Sequence, residues 1–424
     1  MSDERPTKGM DRRAFIKVTG ITTGAALLGG FHFLPKTYAQ TGPFKVGFPI
    51  PLTGPYGTEA KDQQAGAELA VAEINASGGV LGRKVELLVR DTKLKADEAA
   101  RRAKELIESE GVLLMSGVLS AANQLAVNEQ CKLHGIPYMS ISQANEITMR
   151  PDNSIYTWHE ALDPHQTTQA VGEYVARNFG KKWYFLTSDY AYGWQMTDGF
   201  IRKGKEFGAV SVGETKHPLG TSDYSSYMPR ILSAKPDVLF LDNFGKDQIN
   251  SVKQATEFGL KKNMKIVCPI LLMSSRLGGG PEAFDGVVGG TSYYWELDIP
   301  SSKKFVEAFE KANKRPPIDY AGYAYSGLKE LLGAVNRAGK LDPEAIAAAM
   351  EGRTYDNYKG KQWWRPCDHQ SQQDVFIIKS KKAKGQYDVF EVIATVSGQG
   401  ERLLRTCIEV GQDPNKPIRS GLKK

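Results

Sequence analysis

The 424-residue sequence lacks the short motifs that mark the common enzyme sites. It contains no GxxxxGKS/T phosphate loop, no GxSxG nucleophile turn and no GxGxxG after the first predicted strand. His159 and Glu160 begin a pattern like HExxH, but Asp163 stands where the second histidine belongs. Asp368 and His369 are adjacent and could form an acid–base pair, although a structural pair is the simpler interpretation. We therefore predict no catalytic residue and no enzyme activity.

Cysteine and histidine are scarce and scattered. The four cysteines include no CxxC pair, which excludes zinc ribbons and thioredoxin-like redox sites. The six histidines form no cluster with the spacing of metal ligands. We predict no metal site and no cofactor. The formal net charge of +7 is mild, and no basic run is interleaved with aromatic residues, so we also predict no nucleic-acid partner.

Long apolar runs are absent, apart from a weakly apolar stretch near the N-terminus. Two arginines at positions 12–13 precede an uncharged stretch over residues 18–35, and residues 37–39 (TYA) suit a signal peptidase. This pattern is typical of an export signal, and the arginine pair indicates the twin-arginine route. A retained membrane anchor is the alternative, but glycines and threonines make the stretch only weakly apolar. We predict a signal peptide over residues 1–39, cleavage after it, and a soluble periplasmic protein without stable membrane insertion.

The rest of the chain alternates between short apolar strands and amphipathic helices. This is the pattern of an α/β fold with helices on both faces of a parallel sheet, and its length and its restart after Asp163 predict two Rossmann-like lobes. The predicted strands are 44–50, 84–91, 112–116, 137–141, 182–187, 209–216, 237–242, 265–269 and two within 374–395. The predicted helices are 60–76, 96–108, 121–133, 165–179, 192–207, 224–233, 247–258 and three within 301–350.

Four segments carry more specific patterns. They read PLTGPYG (51–57), INASGGVLGRKVEL (74–87), SGVLSAA (116–122) and DYAYG (189–193). Together they resemble the branched-chain amino-acid-binding family of ABC-importer solute-binding proteins, which has the type I periplasmic fold. The resemblance spans essentially all of the chain after the signal. It implies two lobes that are joined by three crossing segments and that close on a ligand between them.

The resemblance also implies the domain boundaries and the partners. We expect lobe 1 to comprise residues 40–160 plus 292–365, and lobe 2 to comprise residues 161–291 plus 366–424. The partners would be a small-molecule ligand and the membrane permease of an ABC importer, with the binding protein itself a monomer.

The lobe 1 side of the predicted site is centred on Ser120. Ser120 begins a predicted helix, where free backbone amides and the positive end of the helix dipole favour an anion. An ordinary helix cap is the alternative role, and a serine can serve both. By resemblance, Ser120 and the backbone around Gln143 and Ala144 would bind a ligand carboxylate.

Four aromatic residues occur where the family lines its cleft: Tyr56, Tyr192, Phe244 and Tyr320. Aromatic side chains more often fill cores than touch ligands. These four, however, stand in loops or at the starts of helices, not on an apolar helix face. Trp295 is a weaker candidate, because a crossing strand at that position could be purely structural.

Ile270 bears on the class of ligand. In amino-acid-binding members of the family, an acidic residue at the matching position meets the ligand's ammonium group, and here the position is isoleucine. A buried ammonium without a partner is strongly unfavourable. The sequence therefore favours an aromatic or aliphatic carboxylate. Asp189 or Asp242 could instead take over the acidic role, which keeps branched-chain amino acids as the alternative.

Two hypotheses from other functional classes stay open. An enzyme could use the same two-lobe scaffold, and calorimetric binding without turnover would distinguish it. A sensory receptor lobe would need a membrane segment and an output domain, and neither pattern is present in this sequence.

The resemblance also places two cysteines together. Cys367 and Cys407 both fall in the part of the chain expected to form the third crossing segment and its return to lobe 2. The predicted compartment permits oxidation, so we expect a disulfide between them. Cys131 and Cys268 would lie in different lobes and are expected to be free and buried.

Overall fold

The computed structural model describes residues 42–418. The predicted signal peptide lies outside the described residues. The strands are β1 (Phe44–Ile50), β2 (Val85–Asp91), β3 (Leu114–Gly117), β4 (Tyr138–Ser140), β5 (Thr157–His159), β6 (Lys182–Ser188), β7 (Val210–His217), β8 (Val238–Asp242), β9 (Lys265–Ile270), β10 (Val288–Thr291), β11 (Thr354–Tyr355), β12 (Gln362–Trp364), β13 (Ser371–Gln372), β14 (Val375–Ser380) and β15 (Phe390–Val396). The helices are α1 (Gly57–Ala76), α2 (Ala96–Glu108), α3 (Ala121–His134), α4 (Pro164–Asn178), α5 (Ala191–Glu206), α6 (Met228–Ala234), α7 (Gly245–Glu257), α8 (Met273–Gly279), α9 (Pro281–Phe284), α10 (Pro300–Asn313), α11 (Asp319–Ala338) and α12 (Pro343–Met350).

Lobe 1 is built on a parallel sheet with the strand order β2-β1-β3-β4-β5. Its inner strands are buried, and β1 buries Phe44, Val46, Phe48 and Ile50 completely, whereas the edge strand β2 is largely half-buried. β1 lies between β2 and β3, so the strand order reverses there. A sheet of this kind forms a crevice beyond the carboxyl ends of the strands at the reversal. Residues that follow β1 and β3 are therefore brought together.

Lobe 2 is built on a seven-stranded sheet with the order β15-β14-β10-β9-β8-β6-β7. Strands β6 to β10 are parallel, whereas β14 and β15 are antiparallel to their neighbours. The order reverses between β6 and β8, which forms the second crevice. The predicted α/β class with two Rossmann-like lobes is confirmed.

The chain passes between the sheets three times. It leaves the first sheet after β5, and it leaves the second sheet after β10. Helix α11 then packs along α1 of lobe 1, and β14 returns to the second sheet. The exact lobe boundaries stay a prediction.

Several features of the secondary structure differ from the prediction. Helix α6 begins at Met228, not Tyr224, and Pro229 occupies its first turn, where the missing N–H is not needed. Helices α8 and α9 and strand β10 were not predicted. Strand β5 and the small antiparallel sheet β11-β12-β13 were not predicted either. Each of these strands has only two or three residues, which is too short for a periodic pattern.

Buried charged groups are concentrated where the chain crosses between the lobes. Arg365 and Asp368 form an ion pair and are 2% and 1% exposed. Arg365 also donates to Glu401 at 3.1 Å. Tyr355 donates a hydrogen bond to the buried Glu160. We call these five residues the hinge network. Asp368 and His369 do not pair with each other; the His369 ring lies against Trp158 and hydrogen-bonds Glu351.

The C-terminal segment (residues 397–418) runs across the outside of this region. Arg402 donates to Glu173 on α4 of lobe 2 at 3.1 Å. The amide of Arg150, between β4 and β5 of lobe 1, donates to the carbonyl of Val410 at 3.0 Å. The segment therefore contacts both lobes.

The structure joins Cys367 and Cys407 in a disulfide, which ties the C-terminal segment to the third crossing. Cys131 lies on α3 of lobe 1 and Cys268 on β9 of lobe 2, and both are free and buried.

Candidate functional site

A small cavity lies where the carboxyl ends of the two sheets face each other. The free space inside it is only about 10 Å³, room for about one water molecule. Its walls come from both lobes: Tyr56, Leu119, Ser120, Ala121, Ser142, Gln143, Tyr190, Tyr192, Phe244 and Tyr320. Six of the eight residues predicted to bind ligand are on this wall. Their role in binding stays a prediction.

Ser120 caps α3 on the lobe 1 side of the cavity. Its φ of +82° lies in a region that residues other than glycine seldom occupy, and such conformations cluster at functional sites. The Ser120 hydroxyl accepts a hydrogen bond from the amide of Asn123 at 3.4 Å. The first amides of a helix lack carbonyl partners within it and carry a partial positive charge. This end of the cavity suits an anionic group.

Aromatic rings form the rest of the wall. Phe244, which precedes α7, lies in the middle, with its ring centroid 5.0 Å from that of Tyr56, 6.4 Å from Tyr192 and 5.6 Å from Tyr320. All three pairs have the edge-to-face geometry that aromatic rings favour. Tyr56 precedes α1, while Tyr192 and Tyr320 stand in the first turns of α5 and α11. Tyr56, Tyr192 and Phe244 line one space because each follows a strand, β1, β6 or β8, at its carboxyl end. Tyr320 reaches the same space from α11, which follows α10 and packs along α1.

The cavity is electrically neutral. Among the residues that the structure describes, the ten on its wall include no Asp, Glu, Lys, Arg or His. Burial raises the pKa of the Tyr56, Tyr192 and Tyr320 hydroxyls well above the usual value, so all three stay protonated. The wall thus presents neutral hydrogen-bonding groups and aromatic surface.

Hydrogen bonds join the lobes around the cavity. The hydroxyls of Tyr56 and Tyr190 are 2.7 Å apart, and one donates to the other. Ser274 of lobe 2 donates to Glu59 of α1 at 2.7 Å. The side-chain oxygen of Gln195 accepts from the amide of Asn145 at 2.9 Å. The cleft is therefore closed over the cavity. Tyr190 was not predicted, although it lies within the DYAYG motif.

Ala144 and Ile270 are not on the cavity wall. Ala144 is fully buried beside the wall residue Gln143. Ile270 ends β9 with its side chain 3% exposed, and its carbonyl accepts a hydrogen bond from Gln248 at 2.8 Å. The position that matches the family's acidic residue is therefore packed in the core of lobe 2.

The two acidic candidates of lobe 2 are not on the wall either. Asp242 is completely buried and accepts from the Thr197 hydroxyl at 2.6 Å. Burial raises the pKa of Asp242 well above its usual value, which favours the neutral acid. Asp189 is exposed and accepts from the indole of Trp194 at 2.9 Å.

A second cavity of about 470 Å³ adjoins the first. Residues next to Tyr56 and Phe244 in sequence, such as Pro55 and Gly245, form part of its wall. A Cβ atom on Gly245 would come within 2.8 Å of the Tyr56 ring, so the partition between the two cavities is tightly packed.

Within residues 42–418, no group of three or more His, Cys, Asp or Glu side chains is arranged to hold a metal ion. No helix in this range has both the length and the hydropathy that a membrane span needs.

Comparisons with known proteins agree with the fold. The family model described as periplasmic binding protein matches residues 43–386. The chain belongs to this family. The resemblance inferred from the four sequence motifs is therefore confirmed. The family and the structural neighbours of the chain are solute-binding proteins, not enzymes.

Individual relatives differ in what they bind. Leu/Ile/Val-binding protein homolog 7 of Brucella abortus (strain 2308) is 28% identical over 327 residues, which are 72% of this chain and 80% of that protein. A periplasmic binding protein from Burkholderia mallei is 29% identical with a TM-score of 0.80, and the match covers 86% of this chain and 96% of that one. An ABC-transporter solute-binding protein from Rhodopseudomonas palustris BisB5, solved with 3,4-dihydroxybenzoic acid, is 26% identical with a TM-score of 0.76, covering 84% and 98%.

Proposed function

We propose that this periplasmic binding protein is the solute-binding component of an ABC importer and captures a small aromatic or aliphatic carboxylate between its two lobes. The observation that carries the proposal is the neutral, aromatic cavity with the start of α3 at one end. A closed cleft of this kind excludes water from the ligand, which strengthens each polar contact inside it.

The carboxylate would bind at the start of α3. There the amides of the first helical turn and the Ser120 hydroxyl can donate to both of its oxygens. The apolar part of the ligand would lie against the rings of Tyr56, Phe244 and Tyr320. The Rhodopseudomonas palustris relative, which was solved with an aromatic acid, supports this class of ligand.

An α-amino acid fits the cavity less well. Its ammonium group would be buried among ten wall residues that, within the described chain, include no carboxylate to neutralise it. An unpaired buried ammonium is unfavourable by several kcal/mol. The names of the Brucella relatives keep leucine, isoleucine and valine as the competing ligands to be tested.

Calorimetry tests the proposal directly. The purified protein, unfolded and refolded to remove any bound ligand, is titrated with benzoate, cinnamate, hexanoate, leucine and valine. We expect stoichiometric binding of at least one acid without turnover, and a roughly 10- to 100-fold weaker affinity in Ser120→Ala. Ser233→Ala, on an exposed position of lobe 2, is the matched control. Micromolar binding of leucine or valine with no response to the acids would contradict the proposal, and turnover would favour an enzyme.

We further propose export by the twin-arginine route with cleavage after Ala39, a monomeric state and delivery of the ligand to a membrane permease. Replacing both Arg12 and Arg13 by lysine is expected to hold the protein in the cytoplasm, as cell fractionation would detect. Sedimentation at micromolar concentration is expected to show a monomer.

A further inference from the structure

His159 lies directly behind the cavity wall. It ends β5 and is completely buried. Its Nε2 atom is 2.6 Å from the carbonyl oxygen of Ser142, a residue of the wall. Its Nδ1 atom is 2.7 Å from the side-chain oxygen of Gln370, which lies just before β13. Both distances are those of hydrogen bonds, so the ring connects the cavity wall to the region where the chain crosses between the lobes.

The orientation of the Gln370 side-chain amide is fixed by its other contacts. Its nitrogen donates to the carbonyls of Ala161 at 2.9 Å, Ser371 at 3.1 Å and His159 at 3.3 Å. Exchanging the two ends of the amide would place an oxygen against three carbonyl oxygens, none of which can donate. The atom that faces Nδ1 of His159 is therefore the amide oxygen, which only accepts hydrogen bonds.

Both ring nitrogens of His159 thus face atoms that can only accept. A neutral imidazole has one N–H, so it would leave the lone pair of its other nitrogen against the lone pair of an oxygen. Turning the ring over places C–H groups at these positions, where the 2.6 and 2.7 Å distances are too short for C–H···O contacts, which need about 3.3 Å. Only the imidazolium, with two N–H donors, satisfies both contacts.

His217 in lobe 2 shows the opposite arrangement. It is also completely buried. Its Nδ1 atom is 2.9 Å from the carbonyl oxygen of Pro218, and its Nε2 atom is 3.2 Å from the side-chain nitrogen of Asn243. One nitrogen therefore donates and the other accepts, which is the pattern of a neutral imidazole.

The surroundings of His159 supply counter-charge for an imidazolium. Burial lowers the pKa of His159, and the two hydrogen bonds and the carboxylates of Asp163 and Asp368 oppose it. The ion pairs of this region join three carboxylates to two guanidinium groups: Asp163, Asp368, Glu401, Arg365 and Arg405. One negative charge is in excess, and a protonated His159 balances it. The hydrogen-bond geometry decides in favour of the charged ring, since a neutral ring cannot satisfy both contacts.

A single peptide group separates His159 from the cavity. The Ser142 carbonyl and the Gln143 amide belong to the same peptide, and Gln143 is on the wall. The Gln143 amide donates to no atom within residues 42–418, and the Gln143 side-chain oxygen has no partner there either. A charged donor on the carbonyl polarises the peptide and makes its N–H a stronger donor. An anion at the wall would thus be stabilised by a charge that it does not touch.

We propose that His159 is an imidazolium at neutral pH and is a positioning residue for the ligand anion: it holds the Ser142–Gln143 peptide and strengthens the Gln143 amide as a donor to the carboxylate. The role in binding rests on the proposed function, whereas the charge of His159 does not depend on it.

Nuclear magnetic resonance of protein with isotope-labelled histidine tests the charge without any ligand. At pH 7 we expect two protonated ring nitrogens on His159 and one on His217. His159→Gln assigns the signal; if this variant is unfolded by circular dichroism, single variants of the other histidines assign it by exclusion. A single protonated nitrogen on His159 at pH 7 would overturn the inference and leave the proposed function intact.

Calorimetry tests the role in binding, with benzoate, cinnamate and hexanoate as the probes. His159→Gln can still donate to Ser142 but has no charge, so we expect about tenfold weaker binding of the acid that the wild type binds best. His134→Gln removes an exposed imidazole from lobe 1 and should bind like the wild type.

Linkage separates an electrostatic role from a structural one. If the charge of His159 contributes tenfold to affinity, the bound acid must raise the pKa of His159 by about one unit, which a resonance titration from pH 6 to pH 10 measures. Weaker binding in His159→Gln without this rise would overturn the electrostatic role. If none of the three acids binds the wild type, the proposed function fails and the role of His159 in binding fails with it, whatever its charge.

Discussion

The ligand cavity and the hinge network use buried polar groups in opposite ways. In the hinge network Arg365 pairs with Asp368 and Glu401. Burial raises the pKa of Glu160 to about 7, and Glu160 accepts a hydrogen bond from Tyr355. The cavity wall contains no charge among its ten described residues and still leaves polar atoms unpaired. Unpaired buried polar atoms are not confined to the cavity, since the Gln362 side-chain oxygen and the Trp364 indole beside the hinge network also lack partners within residues 42–418. What distinguishes the hinge network is its buried Arg365 charge, which is paired with two carboxylates.

This difference has an energetic reason. A buried ion needs a counter-charge at all times, because an uncompensated charge is far more costly than an unpaired neutral group. In the hinge network the buried Arg365 is paired with both Asp368 and Glu401. A neutral group such as the Tyr192 hydroxyl can remain without a hydrogen-bond partner at a smaller free-energy cost. Variants that remove one partner should therefore have their largest effects at the hinge and smaller ones at the cleft.

The largest effect is expected from Arg365→Met. This change leaves the buried Asp368 carboxylate without its ion-pair partner, since the two side chains are 2% and 1% exposed. Removing one member of a buried pair typically lowers the free energy of unfolding by about 3–5 kcal/mol. Urea unfolding followed by circular dichroism measures the change. Asp298→Ala, which breaks the exposed pair with Lys303, is the control and should unfold like the wild type.

The double variant Arg365→Met/Asp368→Leu refines the comparison. Replacing both members of a buried ion pair by apolar residues is often close to neutral, because neither charge is left behind. We therefore expect the double variant to be more stable than Arg365→Met alone. If the double variant is the less stable of the two, the pair acts through packing and not through its charges.

The disulfide should have the next largest effect. It closes a loop between residues separated by 40 positions, which constrains the unfolded chain. For a loop of this length, the chain-entropy model predicts that Cys367→Ser/Cys407→Ser lowers the free energy of unfolding by about 3–4 kcal/mol. Reduction of the wild type should reproduce the loss in urea unfolding. Ligand affinity should change less than threefold, since neither cysteine is on the cavity wall; a larger change would mean that the C-terminal segment acts on the cleft.

Much of the cleft could be predicted because local sequence determines it. Tyr56 and Phe244 directly precede helices that follow strands at the two strand-order reversals, so their placement depends on a short stretch of chain. Ser120 was predicted for the same reason. The small strands β11, β12 and β13 were not, since they are held by their partners and not by a pattern of their own.

Contacts between residues that are far apart in the sequence could not be predicted from local patterns. The Tyr56–Tyr190 bond joins residues 134 positions apart and depends on how the lobes close. The unpaired state of Tyr192 and Gln143 likewise depends on every neighbour of the closed cavity. Asp242 is a residue whose role the sequence could not exclude. It was a candidate for binding an ammonium, but the sheet of lobe 2 buries it behind the cavity wall.

His165 should make the free energy of unfolding depend on pH. Burial is the main cause that lowers the pKa of His165 to about 4; Arg405 and Arg202 act in the same direction, and Asp163 and Glu409 oppose them. In the unfolded chain the imidazole titrates near 6.5. The folded state disfavours protonation of His165. The contribution of the neutral His165 to the free energy of unfolding is therefore complete above pH 6.5 and is lost as the pH falls toward 4.

The variant that tests this pH dependence is His165→Gln. Between pH 7 and pH 4.5 its free energy of unfolding should fall by about 2–3 kcal/mol less than that of the wild type. Urea unfolding at pH 7, 5.5 and 4.5 measures the difference, and all other titrating groups are common to both proteins. His134→Gln gives the opposite sign: the hydrogen bonds of His134 to the Gln130 carbonyl and to Glu108 raise its pKa, so without it the free energy of unfolding should fall more, not less, between pH 7 and pH 4.5. Identical slopes for His165→Gln and wild type would contradict the prediction.

The smallest effect is expected at the cleft, from Tyr190→Phe. The Tyr190 hydroxyl bonds that of Tyr56 at 2.7 Å across the lobes, and the variant keeps the ring. A neutral hydrogen bond contributes about 0.5–1.5 kcal/mol, so ligand affinity should fall about 2- to 10-fold, mainly through faster dissociation in stopped-flow measurements. Thermal stability without ligand should be unchanged, because the bond forms only when the lobes are closed. Tyr56→Phe/Tyr190→Phe should bind no more weakly than either single variant, since all three lack the same bond. Additive losses in the double variant would instead mean that each hydroxyl contacts the ligand separately.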